Sequence, residues 1–221
     1  MIISVGPLKF KVTNLNDTFF NTILFLGLTA VIGDFIIPAV ISRRYPNYSQ
    51  LHDTISTLGT NESPVKKPTS RWLVALGLLL ICFGIGQSLQ FIDHTWKHLL
   101  YIWGIIAFGV GAGIMAGVYP EDPKGMEETN TGKIHGISAG LGFMFLLLNP
   151  MLALGIDEFN GLEWFNCIFF AVGVITFILF IVSGKKRNGI LALSGLWQRF
   201  NLLAVYSPLL LNYIATKPAQ P

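Results

Sequence analysis

Hydrophobic residues along this chain fall into six long runs, separated by short polar stretches. A helix rises about 1.5 Å per residue and the hydrocarbon core of a bilayer is about 30 Å thick, so about 20 apolar residues are needed to cross it. Five runs meet that length, and the sixth is shorter and follows an apolar lead-in from Gly189. The pattern predicts six transmembrane helices over residues 19–41, 72–92, 99–119, 134–154, 164–183 and 200–216.

The first polar connection contains the stretch "LHDTISTLG", whose apolar residues recur at helical spacing. Leu51, Ile55 and Leu58 form one apolar stripe if a short helix covers residues 49–58. Such an amphipathic helix can lie on a membrane surface with its polar groups turned to the mouth of the bundle. The predicted fold is therefore all-α: a polytopic six-transmembrane-helix bundle with a short interfacial helix in its first cytoplasmic loop.

Composition supports a bilayer-embedded chain rather than a soluble one with a large core. Only 12% of residues are charged and 52% are hydrophobic, whereas soluble proteins have about 25% charged residues. The runs leave no room for a separate soluble domain, so residues 1–221 form a single transmembrane domain. The net charge of +3 is small, and its clustering near helix ends indicates topology signals rather than a nucleic-acid surface.

The distribution of basic residues predicts the orientation. Every Lys and Arg except Lys9, Lys11, Lys97 and Lys217 lies in or beside the first, third or fifth connection. Positive charge favours the cytoplasmic side, so these three connections are expected in the cytoplasm and both termini outside. We expect a multi-pass protein of the inner (plasma) membrane whose surroundings are membrane lipids.

Glycines recur every four residues on the third predicted helix, at Gly109, Gly113 and Gly117, and again at Gly136 and Gly140 on the fourth. Such faces let helix backbones approach closely inside a membrane. Close packing of the third and fourth helices within one chain is the first interpretation. A homodimer through Gly109, Gly113 and Gly117 is the alternative.

Asp34 is an acidic residue inside the first predicted helix, four residues before Pro38. A carboxylate within a membrane costs a few kcal/mol, about 2.5–3.5 on insertion scales, so it is expected to face protein or water and to serve a function. The proline removes the backbone hydrogen bond to the Asp34 carbonyl and favours a kink there. An ion or proton site is one interpretation, and a purely structural acid is the other.

Further polar residues come from separate segments that the predicted topology places on the cytoplasmic side. We expect His52 and Asp53 to lie within direct or one-water reach of Asp122 and His135, because buried polar groups must satisfy one another. The alternatives are solvated loops and an arginine that extends to the membrane surface. With Asp34, the candidate binding residues are His52, Asp53, Ser56, Tyr119, Asp122, His135 and Arg199.

The sequence predicts no cofactor and no metal site. Two histidines on one side are too few for a three-histidine zinc site, and Cys82 and Cys167 are isolated within apolar runs. The P-loop, GxGxxG, HExxH and GxSxG patterns are also missing. No nucleic-acid partner is expected.

Three short pieces together resemble a known family. The pieces are "LHDTISTLG" followed by "SP" after a first helix with an acid, "YPED" followed by "IHG", and "GLWQRF" before the last helix. Together they resemble a family of bacterial integral membrane proteins. That family is known as a domain of unknown function, number nine hundred and ninety-eight in its series. The resemblance covers about Gly33 to Asn212 and implies a six-helix inner-membrane protein without implying a reaction. Gln198 departs from the pattern, because an acid that could pair with Arg199 is expected there.

Three hypotheses for function remain open at this point. In the first, a polar cleft on the cytoplasmic side binds or moves a small molecule, an ion or a lipid head group. In the second, the chain is an intramembrane hydrolase acting on lipid. Ser56, His52 and His135, with Asp53 or Asp122, would then serve as nucleophile, base and orienting acid, or as metal ligands. In the third, it is a non-catalytic protein of membrane assembly or envelope maintenance, so enzymatic activity is undecided.

Overall fold

The computed structural model describes residues 2–5, 8–11, 13–91, 95–123, 125–184 and 189–216. In this part of the chain six long helices follow a short β-hairpin. The six helices agree with the all-α prediction. The hairpin strands pair antiparallel, with Ile2 opposite Lys11 and Val5 opposite Leu8. In chain order the elements are β1 Ile2–Val5, β2 Leu8–Lys11, α1 Thr13–Ser42, α2 Lys66–Ser88, α3 Trp96–Val118, α4 Asn130–Ala153, α5 Glu163–Ser183 and α6 Ser194–Ala215.

Five of the described helices, α1 to α5, are long and apolar enough to cross a membrane. The chain is therefore a multi-pass helical membrane protein. The last helix is 22 residues long, and it starts at Ser194 rather than at the predicted residue 200, so Arg199 lies inside it. The predicted second span ended at Ile92, which lies outside the described residues, and α2 ends at Ser88.

Neighbouring helices run antiparallel, as their contacts show. Gly33 of α1 lies against Trp72 at the start of α2, whereas Ile23 of α1 lies against Gly86 near the end of α2. The α5–α6 pair follows the same rule, because the start of α5 contacts the end of α6. The loop between α1 and α2 (residues 43–65, loop one) therefore lies at the same end of the bundle as loop three (residues 119–129) and the start of α6. We call this end the loop-one end.

The core of the bundle is aromatic and aliphatic, and it lies between α2, α3, α4 and α6. Its fully buried side chains include Leu80, Phe83, Ile105, Phe108 and Leu209. Phe108 meets Phe143 edge to face, with ring centroids 5.1 Å apart. Burial of this kind in a membrane depends on van der Waals packing, because lipid supplies no hydrophobic drive between helices.

The glycine face of α3 packs within the chain. A Cβ at Gly113 would lie 2.5 Å from the Gly77 Cα of α2, and one at Gly111 would lie 2.2 Å from the Ser138 carbonyl oxygen of α4. Helix α3 adopts a π-helical turn over Gly109–Met115, at this close approach. Gly136 and Gly140 differ, because a Cβ at either position would meet nothing within 4 Å. A homodimer through the α3 face stays a prediction. A second copy could pack against this face only by displacing α2.

Loop one corrects one detail of the predicted fold. A four-residue 3-10 helix over Ser56–Gly59 takes the place of the expected helix over residues 49–58. Ile55 and Leu58 are buried as the apolar stripe predicted, but Leu51 is 49% exposed. The backbone of residues 50–55 instead forms hydrogen bonds with the start of α6, and these bonds replace those of a regular helix.

Candidate functional site

Asp34 of α1 points into the bundle and is 3% exposed. Both of its carboxylate oxygens accept hydrogen bonds, one from Trp72 Nε1 at 3.2 Å and the other from Tyr206 Oη at 2.9 Å. Glycine at position 33 makes the arrangement possible, because a Cβ there would lie 2.3 Å from the Trp72 ring. The acid is thus held by α2 and α6 rather than facing acyl chains.

Trp72 lies inside the bundle, although its position at the end of an apolar run suggests the membrane surface. As a tryptophan at the end of an apolar run it fits an interfacial aromatic belt, and Trp96 and Trp164 are indeed 64% and 84% exposed. Trp72 is only 9% exposed and donates to Asp34. Its indole therefore belongs to the buried polar centre.

A small cavity of about 30 Å³ lies beside Asp34, with room for one or two water molecules. Ser56 of loop one and Gln198 of α6 are the other polar residues that line it. Gln198 Oε1 accepts from the Ile55 backbone N–H at 2.7 Å, which positions the amide. The remaining wall is apolar and consists of Ile55, Leu73, Leu76, Phe108, Ala112, Ala116, Ala139, Phe143 and Leu202.

Arg199 fixes loop one to α6. Its Nη1 donates to the carbonyl oxygens of Gln50 at 2.8 Å, Asp53 at 3.2 Å and Gly195 at 2.8 Å. Its Nη2 donates to the Tyr48 hydroxyl at 2.9 Å and to the Gln50 side-chain oxygen. Burial raises the pKa of the Tyr48 hydroxyl, against the opposing effect of the Arg199 charge. The guanidinium therefore holds loop one against α6 and does not extend to the membrane surface.

The start of α6 completes this contact through its backbone. Leu196 N–H donates to the Leu51 carbonyl oxygen at 3.0 Å, and Ser194 Oγ donates to the His52 carbonyl oxygen at 2.6 Å. A Cβ at Gly195 would lie 2.2 Å from the Asp53 carbonyl oxygen. Glycine is therefore needed at that position for loop one to lie so close to α6.

The side chains of His52 and Asp53 lie at the surface side of this contact. His52 is exposed, and its Nδ1 lies 3.3 Å from the Ala192 carbonyl oxygen, before α6. The Asp53 carboxylate accepts from the Ser49 N–H at 2.9 Å. Both residues thus bind backbone groups of loop one and of the segment before α6.

Tyr119, Asp122 and His135 form a second group around loop three. His135 is 4% exposed, and its Nδ1 lies 2.8 Å from the Tyr119 carbonyl oxygen. Asp122 accepts from the Thr129 N–H at 2.7 Å and from the Thr129 hydroxyl at 2.8 Å, and Thr129 caps α4. These bonds hold loop three against the start of α4. The hydrogen bonds of Asp122 and His135 described above run to Thr129 and Tyr119. The expected approach of this group to His52 and Asp53 stays a prediction.

The eight candidate residues therefore fall into three places at the loop-one end. Asp34 and Ser56 share the cavity. Arg199, His52 and Asp53 belong to the contact between loop one and the start of α6. Tyr119, Asp122 and His135 form the loop-three group at the start of α4. Trp72, Tyr206 and Gln198 complete the buried centre and were not candidates. A tyrosine inside an apolar helix, at the same depth as the acid, is the signal that could have identified Tyr206.

A second buried polar cluster lies in the other half of the bundle. Asn166 and Asn212 exchange two hydrogen bonds of 3.0 and 3.1 Å, and Asn212 also reaches the Tyr101 hydroxyl at 3.4 Å. Gln87 is fully buried, and its amide has no hydrogen-bond partner among the described residues. The side chains of Leu80, Ile105 and Leu209, each at most 1% exposed, lie at the depth between the two polar centres.

In the described part of the chain, no group of three or more His, Cys, Asp or Glu residues could hold a metal ion. At the end opposite loop one, His98 Nε2 lies 3.0 Å from the Glu158 carboxylate. The chemistry available at the cavity is thus one carboxylate, one hydroxyl and one amide in apolar surroundings.

Comparison with known proteins identifies a family without an assigned activity. No curated protein and no solved structure matches the chain. One family model, described as "Protein of unknown function (DUF998)", matches residues 28–212. That range takes in Asp34, loop one, loop three and most of α6, so it contains every residue of the cavity. The chain belongs to this family of proteins of unknown function, DUF998.

Proposed function

We propose that this membrane protein binds a small polar ligand in the cavity beside Asp34, and that the ligand is a small molecule, an ion or the head of a lipid. The observation that carries the proposal is a carboxylate buried at membrane depth that borders a cavity with unused hydrogen-bonding groups. Ionisable residues inside membrane helices are costly and serve as binding sites or relays in many proteins. The basic residues favour a cytoplasmic position for this end, in an inner (plasma) membrane.

The hydrogen-bonding capacity of Asp34 supports a further partner. A carboxylate can accept about four hydrogen bonds, and Trp72 and Tyr206 supply two of them. The cavity is adjacent to the carboxylate and is lined by Ser56 and Gln198. A ligand with a donor group could therefore complete the coordination of Asp34.

The geometry favours binding over movement across the membrane. A path from the Asp34 cavity to the polar cluster at Asn212 would pass the packed side chains of Leu80, Ile105 and Leu209. Transport would require this apolar layer to open. Since α6 carries residues of both polar centres, we expect it to cross the membrane with the other five helices.

The other two hypotheses have less support. Ser56 lines the cavity, but a hydrolase needs a base beside its nucleophile. The Nδ1 atom of His135 engages the Tyr119 carbonyl oxygen, and His52 is on the exposed side of loop one. A purely structural role predicts that nothing binds beside Asp34.

Fluorescence of Trp72 tests the proposal directly, because this indole donates to Asp34. Replacing Trp96, Trp103, Trp164 and Trp197 by Phe leaves Trp72 as the single reporter. Glycerol, sodium chloride and ethanolamine hydrochloride are titrated into the purified full chain in detergent micelles. We expect at least one probe to change the Trp72 emission saturably, and Asp34→Asn to weaken that change about tenfold, as the loss of one charged hydrogen bond predicts.

The matched control is Asp157→Asn, because Asp157 is exposed in the loop after α4. It changes the same side chain without touching the cavity and should leave the titration unchanged. The proposal is wrong if no probe alters the emission, or if both Asp→Asn variants behave like the parent protein.

A further inference from the structure

The cavity beside Asp34 borders one face of α4. Ala139 and Phe143 line the cavity, and Gly136 and Gly140 share their face because residues three and four apart are neighbours on a helix. A Cβ at Gly136 or Gly140 would meet nothing within 4 Å. Gly136 is exposed and Gly140 is half-buried. We call the face formed by Gly136, Ala139, Gly140 and Phe143 the α4 groove.

Two polar groups in the cavity have unused donors. Gln198 is 4% exposed, and its Oε1 is bound to the Ile55 N–H, so the amide orientation is fixed. Its Nε2 has no hydrogen-bond partner in the described part of the chain, and neither has the Ser56 hydroxyl. Both residues line the cavity, so a ligand there that accepts a hydrogen bond can pair with Nε2.

We propose that the ligand is a neutral, hydroxyl-bearing, single-chain amphiphile whose head enters the cavity and whose chain lies in the α4 groove. The inference rests on the proposed function and names its ligand class. A hydroxyl can donate to Asp34 and accept from Gln198 Nε2 at the same time. The apolar groove suits the hydrocarbon chain, since α4 is itself long and apolar enough to cross the membrane.

Charge and hydrogen bonding favour a neutral hydroxyl over the other common head groups. An anionic head would bring a negative charge next to the Asp34 carboxylate, where the apolar surroundings screen the repulsion weakly. A protonated amine donates but does not accept, so Gln198 Nε2 would stay unpaired.

The test uses the full chain with Trp72 as its only tryptophan, titrated in detergent micelles. The probes are 1-monooleoylglycerol, oleic acid and oleylamine, which share a chain and differ in the charge of the head. We expect 1-monooleoylglycerol to bind about tenfold more tightly than the two charged probes, the difference that one hydrogen bond or one charge contact supplies.

Two variants locate the ligand. Gly140→Leu fills the groove and should weaken 1-monooleoylglycerol about tenfold, while glycerol, which has no chain, should bind as before. Gln198→Glu keeps the oxygen that accepts from Ile55 and removes the free donor, so it should weaken both. Ala171→Leu also introduces a leucine, on the exposed face of α5, and is the matched control.

The outcomes separate this inference from the proposed function. If Gly140→Leu and Ala171→Leu bind 1-monooleoylglycerol equally well, or if a charged probe binds more tightly, the amphiphile assignment is wrong. An Asp34-dependent response to glycerol or an ion would in that case leave the proposed function standing. Gly136→Leu, at the exposed end of the groove, repeats the test if Gly140→Leu does not fold.

Discussion

Gly195, near the start of α6, lies against the backbone of loop one. A Cβ at this position would be 2.2 Å from the Asp53 carbonyl oxygen and 2.5 Å from the Gln50 carbonyl oxygen. Both obstacles are backbone atoms, and Arg199 holds the same two carbonyls. Gly195→Ala must therefore displace loop one from α6 and weaken the Arg199 hydrogen bonds. Overpacking of this kind costs roughly 1–3 kcal/mol.

Amide hydrogen exchange measures that displacement where it occurs. The Leu196 N–H donates to Leu51, and the Ile55 N–H donates to Gln198, so both amides are protected only while loop one is docked. A cost of 1–3 kcal/mol corresponds to about 5- to 150-fold faster exchange of these amides. Peptides from α4 should keep their exchange rates, since the opening is local.

Gly136→Ala is the matched control, because it makes the same change in a helix at the same end of the bundle. A Cβ at Gly136 meets nothing within 4 Å, and alanine favours a helix over glycine by about 0.5–1 kcal/mol. Exchange in loop one should then be unchanged. Equal protection of Leu196 and Ile55 in Gly195→Ala and Gly136→Ala would refute the argument that loop one is docked through this glycine.

Three further predictions concern the buried acid, the orientation and pH. Tyr206→Phe should lower the free energy of unfolding in micelles by roughly 1.5–3 kcal/mol, because its hydrogen bond to Asp34 is lost. In an Asp34→Leu background the same substitution should cost nothing, and additive losses would contradict the pairing. In a variant without the native cysteines, Val5→Cys should react with a membrane-impermeant thiol reagent in intact cells and Pro64→Cys should not; the reverse labelling would invert the topology. Burial raises the pKa of Tyr48 in the folded state, so the unfolded state loses its tyrosine proton first, and this contribution to stability is present below pH about 10 and falls as pH rises above it. The thermal midpoint of Tyr48→Phe should therefore fall less steeply with pH than that of the parent. Parallel curves for the two proteins would contradict this prediction.

The sequence alone determined the membrane class and the position of most helices. Crossing a bilayer requires a minimum length of apolar helix, and that requirement can be read along the chain without knowing any contact. Asp34 was identified as a candidate for the same reason, since an acid in an apolar run must find polar partners. The family followed from short motifs, and the match over residues 28–212 confirms it.

Three features depended on tertiary contacts. Asp34 has two partners, Trp72 and Tyr206, on helices distant in sequence. The position of Trp72 at a helix end suggests an interfacial anchor instead. The predicted interfacial helix in loop one was wrong in extent, because Arg199 and the start of α6 bind its backbone carbonyls. The beginning of α6 was placed six residues late for the same reason, since its first turn is stabilised by loop one rather than by apolar periodicity.

Hydropathy is a property of each segment, whereas the site is a property of pairs of segments. Spacing along one helix gives the residues that share a face, but it does not give the helix that this face meets or the depth at which it meets it. The antiparallel packing of α1, α2 and α6 decides both, and it brings Asp34, Ser56 and Gln198 to one cavity. The sequence therefore determined that a polar centre must exist in the membrane, and only the packing of the helices decided which side chains form it.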